Sequence, residues 1–99
     1  MEAIITKEGT QVTVQITGRL DTVTSEELKR RLADADIAGC DLELDFTGVE
    51  YISSAGLRLL VALQKQAVST GNKLVVKNIN RVVQEIFKVA GFNKAITVI

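Results

Sequence analysis

Two hydroxyls stand side by side at Ser53 and Ser54, in the run Tyr51-Ile-Ser-Ser-Ala-Gly-Leu57. A serine oxygen can attack an acyl carbon, accept a phosphoryl group, or cap a helix. Attack needs a base within hydrogen-bond reach. The chain has no histidine. A lysine serves as the base only where it is desolvated, and Lys65, Lys73, Lys77 and Lys88 fall at positions that read as solvent-facing. No catalytic residue is therefore expected, and a small serine hydrolase is the weakest reading. Capping contributes ~1 kcal/mol and uses only one hydroxyl. Gly56 is also unexplained by capping, because glycine in a first turn costs up to ~1 kcal/mol relative to alanine. It signals close approach by another backbone or a partner. A rigid helix N-terminus offers free N–H donors and a positive dipole end, which stabilise a phosphate. The pair can therefore accept a phosphoryl group without unfolding its surroundings.

The elements that hold this pair follow from periodicity. Ala3–Thr6 reads as a short strand, with a turn at Lys7-Glu-Gly-Thr10. Val12, Val14 and Ile16 then alternate with polar residues, a half-buried strand paired as a hairpin with the first. Gly18-Arg-Leu-Asp21 breaks the alternation, and Asp21 reads as a turn residue. Thr24 is expected to be an N-cap with Glu27 at N3, opening a helix that buries Leu28 and Leu32 and ends before Gly39. Asp41–Thr47 alternates again, with Leu42, Leu44 and Phe46 on one face. There Asp45 reads as a solvent-facing strand residue, and Thr47 as a strand-end hydroxyl or a neighbour of the serines.

The next helix is expected from about Ser54 to Thr70, with Ser54 at N-cap or N1. Its apolar face comprises Leu57, Leu60, Val61, Leu63, Ala67 and Val68, and Gly71 stops it. Residues 73–78 form a strand. Asn80 caps a third helix with Val83, Ile86, Phe87 and Ala90 inward, and Gly91-Phe92 ends it in a Schellman motif. Residues 95–99 close the chain as a strand. The order β-β-α-β-α-β-α-β predicts an α/β fold. Its mixed sheet has about four to five strands, covered by about three to four helices through right-handed crossovers.

Bulk composition removes several function classes. Twelve basic residues balance twelve acidic ones, so no basic excess exists to neutralise a nucleic-acid backbone. The single cysteine, Cys40, excludes an internal disulfide and a redox pair, and reads as a small apolar residue at a strand start. No cofactor or metal is expected. The first ten residues lack the basic and apolar regions of a signal peptide, and no apolar run approaches the ~20 residues of a membrane span. The expectation is one cytoplasmic domain over residues 1–99, with no membrane partner and with its oligomeric state open.

The run LELDFTGVEYISSAGLRLLVAL, residues 42–63, resembles the signature of the STAS domain family, in particular its bacterial anti-sigma factor antagonists. The matching parts are Asp45-Phe-Thr47, then Tyr51-Ile52, then Ser53-Ser-Ala-Gly-Leu57. A second matching element is Gly18-Arg-Leu-Asp21, and the element order agrees along nearly the whole chain. Together the two motifs are specific for the fold; either one alone is weak.

The resemblance implies that Ser54, directly before Ala55-Gly56, is phosphorylated by a partner that is both anti-sigma factor and ATP-dependent serine/threonine kinase. The unphosphorylated domain binds that kinase and frees a sigma factor. Phosphorylation breaks the complex, and a metal-dependent serine phosphatase restores it. Asp21, Ser53, Ser54, Ala55, Gly56 and Leu57 would form the partner-binding surface. Many members have aspartate where this chain has Ser53, which makes Ser53 a secondary candidate acceptor. The alternative implied by other relatives is an unphosphorylated scaffold or accessory subunit of a signalling or lipid-transport complex.

Overall fold

A computed structural model describes residues 1–99, the side chain of Asn93 apart. Its elements are β1 (Glu2–Glu8), β2 (Gln11–Leu20), α1 (Thr22–Asp34), β3 (Asp41–Ile52), α2 (Ser54–Ser69), β4 (Leu74–Lys77), α3 (Arg81–Val89), a 3-10 turn (Phe92–Lys94) and β5 (Thr97–Val98). The strands form one sheet in chain order. β1 and β2 pair antiparallel, and the remaining pairs are parallel. The mixed α/β sheet and the element order expected from periodicity are both observed.

Each parallel step crosses over through one helix to an adjacent strand. Right-handed crossovers of that kind place every helix on the same face. The register agrees, because Val12, Leu42 and Leu74 form one buried row and Val14, Leu44 and Val76 the next. The opposite face is polar, and there Lys77 pairs with Glu43 at 3.5 Å. Leu28 and Leu32 of α1, Leu59, Leu60 and Leu63 of α2, and Val83 and Phe87 of α3 complete the core. Phe87 links Phe46 to Phe92, with ring centroids 6.5 and 5.2 Å apart. Phe92 packing on Phe87 is the apolar contact expected of the Schellman end, and Gly91 supplies the left-handed residue at φ 70°.

Several local expectations need correction. Thr24 is not the cap of α1. Asp21 is, and its side chain accepts from the N–H groups of Val23 and Thr24 while Thr24 reaches back to the Asp21 N–H. The capping box exists, but one turn earlier and with the roles reassigned. β2 does not break at Gly18 but runs on to Leu20, and β3 runs five residues beyond Thr47. β5 shrinks to two residues, because the 3-10 turn occupies the preceding chain. Val68 is 66% exposed although the helical pattern put it inward, and Leu59 takes the buried position instead. Ala90 is exposed too. No described helix is long and apolar enough to cross a membrane.

Candidate functional site

The long β3 is what brings the two sequence motifs together. Opposite β2 it carries two extra residues. One lies between the Gln15–Asp45 and Thr17–Gly48 pairs, the other between Gly18–Val49 and Arg19–Tyr51. Each insertion shifts which residues face the helices. Burial therefore steps from Phe46 to Val49 and then to Ile52, not every second residue. Gly48 allows the first insertion, since a Cβ there would lie 2.5 Å from Thr17 Cγ2.

Beyond these irregularities β2 and β3 end level with each other, Leu20 beside Ile52. The Ser53 N–H donates to the Leu20 carbonyl at 2.8 Å. The Arg19 guanidinium lies over the Tyr51 ring, 4.6 Å from its centroid, a cation–π contact of about 0.5–1 kcal/mol at an exposed site. The Gly18–Asp21 and Tyr51–Leu57 segments are thus in direct contact.

The next residue of each strand caps a helix. Asp21 caps α1 and Ser53 caps α2, its Oγ accepting from the Gly56 N–H at 3.4 Å. Asn80 caps α3, and its amide also donates to the Val49 carbonyl at 3.0 Å. Three helix N-termini thus share the edge formed by the carboxyl ends of the parallel strands, the usual position for function in such sheets. The Thr24 N–H and hydroxyl, with the Val23 N–H, hold the Asp21 carboxyl below its ordinary 3.8. Asp21 is therefore a fixed anion beside this edge at neutral pH.

The serine pair splits into two roles. Ser53 is half-buried and spends its oxygen on the cap, while Ser54, at N1, is exposed. Ala55 and Leu57 are half-buried within the first turn. Leu57 borders a shallow apolar groove with Glu85, Ile86, Val89 and Ala90 of α3. Gly56 differs from the rest of the expected surface, because it is buried. A Cβ there would meet Ile52 Cγ1 at 2.5 Å and the Leu20 carbonyl oxygen at 3.1 Å. The close approach that its presence signalled comes from the chain's own strand ends, not from a partner.

Asp45 is more than the solvent-facing strand residue expected. It accepts from the Thr47 hydroxyl at 2.6 Å, the Thr47 N–H at 3.0 Å and the Asn78 amide at 3.1 Å. The Thr47 hydroxyl and N–H, then Asn78, hold its carboxyl below the ordinary 3.8. Thr47 is thereby committed to Asp45. Cys40 is free and buried. Asn80 caps α3 as expected, though its bond to Val49 was not foreseen. Arg19 had no role assigned in the sequence, and the Arg19–Tyr51 pairing had a signal only in that each lies within one of the two motifs.

Comparison with known proteins agrees with this geometry. The chain matches the family model described as "Mlab, STAS domain" over residues 4–99. It is 33% identical over 76 residues to BtrV of Bordetella bronchiseptica, provisionally named an anti-sigma factor antagonist, covering 76% of this chain and 66% of that one. It is 25% identical over 87 residues to the anti-sigma-B factor antagonist of Bacillus subtilis, covering 88% and 80%. Among solved structures, the anti-sigma factor antagonist SpoIIAA in its unphosphorylated form superposes with a TM-score of 0.81 at 14% identity, over 99% of this chain and 88% of that one. A structure of the same determinant in its phosphorylated form superposes at 0.75. At such identity the likeness is one of fold.

Proposed function

This chain belongs to the STAS domain family, and from that premise we propose that it is an anti-sigma factor antagonist whose binding is switched by phosphorylation of Ser54. Residues 1–99 act as one binding module and not as an enzyme. Unphosphorylated, it docks on an anti-sigma factor kinase through the edge carrying Asp21, Ser53, Ser54, Ala55 and Leu57, and a sigma factor is released. In the kinase complex the Ser54 oxygen attacks the γ-phosphorus of ATP. Its proton passes to a base on the kinase, and ADP leaves. A metal-dependent serine phosphatase reverses the modification with water. The cytoplasm is where those partners reside.

The observation that carries this reading is the exposure of Ser54 at N1 of a firmly packed helix, while Ser53 does the capping. The acceptor can be modified without dismantling its own helix start. Phosphate adds about −1.5 to −2 charges at neutral pH. A charge left unpaired in a closed interface costs several kcal/mol, and ~3 kcal/mol is more than a hundredfold in affinity. The names of the two similar antagonists and the existence of a phosphorylated SpoIIAA support the same assignment.

The test is capture from an extract of the source cell with and without ATP, followed by mass spectrometry of bait and prey. Ser54→Ala is expected to keep the captured kinase and lose phosphate transfer, and Ser54→Asp to weaken capture more than about a hundredfold. Phosphorylation of Ser54→Ala to the wild-type extent would defeat the assignment. A second reading, an unphosphorylated scaffold, is favoured by Ser53 standing where many relatives carry aspartate. It is supported if intact mass shows no phospho-form under any growth condition.

A further inference from the structure

Arg58 lies one helical turn after Ser54 on α2, and both side chains are exposed. Residues four apart share a helix face, their Cβ atoms about 5–6 Å apart. Arg58 has no ion-pair partner among the described residues. It also borders a groove of about 240 Å³ between α1 and α2, whose lining includes Ser25, Glu26, Lys29 and Ala55. Ser25 there is only 4% exposed, and its hydroxyl has no hydrogen-bond partner. A helix start and an unspent guanidinium therefore share the face of the exposed Ser54 oxygen, and that guanidinium also borders the groove lined by the unsatisfied Ser25.

We propose that Arg58 is the intramolecular clamp for a phosphate on Ser54, seating it over the α1–α2 groove. This rests on the reading of Ser54 given above and adds how the modified state is held. Guanidinium matches phosphate in charge and in its paired donors. Lys29 supplies a second positive charge across the groove. Glu26, which borders the same groove, and Asp21 at the cap of α1 are the anions that oppose it. The clamp changes the docking edge twice over: it adds a dianion and withdraws Arg58 from any partner.

The experiment uses the full chain with phosphoserine installed at position 54 during translation, so no kinase is required. Phosphorus NMR follows the second ionisation of the phosphate at low ionic strength. A clamp of roughly 0.7 kcal/mol lowers that pKa by about half a unit in the wild type relative to Arg58→Gln. Arg58→Lys keeps a point charge and falls between the two. In the wild type, the Arg58 Nε–H resonance moves with the same midpoint. Identical phosphate titrations in wild type and Arg58→Gln, or an Arg58 resonance that ignores the phosphate, overturn the clamp. If the clamp is seen but no extract phosphorylates Ser54, the switch reading fails and the clamp stands. If extracts phosphorylate Ser54 and Arg58 is silent, the reverse holds.

Discussion

At the scale of single residues, the site is organised by a division of labour within one turn. Ser53 caps, Ser54 is presented, and Gly56 lets the helix start seat against the strand ends. Gly56 gives a sharp test, because two effects oppose each other there. Helix propensity alone favours Gly56→Ala by up to ~1 kcal/mol. The added methyl, however, would sit 2.5 Å from Ile52 Cγ1, which is itself in the buried core. Overpacking of that kind costs about 1–3 kcal/mol, so the contact outweighs the propensity. Urea unfolding is expected to show Gly56→Ala destabilised, with part of the loss recovered when Ile52→Val is added to relieve the crowding. A more stable Gly56→Ala would mean that the helix start is not tightly seated.

At the scale of elements, two carboxylates fasten β3 to the chain around β4. Asp41 accepts from the Lys73 N–H at 3.0 Å and the Asn72 amide at 3.2 Å, just before β4 begins. Asp45 accepts from Asn78 just after it ends. The Lys73 N–H, then Asn72, hold the Asp41 carboxyl below 3.8, and Asp45 is depressed likewise. A carboxyl whose folded pKa is lowered binds protons more weakly folded than unfolded. Its stabilisation is complete above the unfolded value of 3.8 and disappears as pH falls through the lower folded value. Denaturation midpoints are therefore expected to hold from neutral pH to about 5 and to fall below about pH 4. The drop should be smaller in Asp41→Asn/Asp45→Asn, whose neutral amides have no charge to lose. An equal acid-induced drop in that double variant would remove these two fasteners as its cause.

At the scale of the whole molecule, the proposed phosphorylation site, exposed Ser54, lies outside the packed layer. The core runs between the helices and one sheet face, and its aromatic chain Phe46–Phe87–Phe92 belongs to β3, α3 and the 3-10 turn. A surface change distant from such packing alters stability within roughly ±0.5 kcal/mol. Phosphoserine at position 54 is expected to move the melting temperature by no more than about 4 °C. Amide resonances that change should belong to the ends of β2 and β3 and the first turns of α1 and α2. Shifts spreading through β1, β4 and β5 would show that the modification refolds the domain instead of re-charging one edge.

Much of this architecture is legible in the amino-acid order alone. Alternation in Val12–Ile16 and Leu42–Phe46, helical spacing in Val83–Phe87, and glycine at the helix ends are local signals. Local hydrogen bonding and amphipathic burial suffice to act on them. The serine pair was recognisable too, since no histidine exists to make it a nucleophile. The irregular half of β3 was not legible, because an inserted residue is defined only against its partner strand, and the β2–β3 register is a long-range property. That register brought Arg19 onto Tyr51 and set Leu20 beside Ile52, the two residues against which Gly56 is packed. Residue types and their periods thus determined which elements form and in what order. Which of two adjacent serines spends its oxygen inside, and which presents it to solvent, was decided only where two strand ends meet.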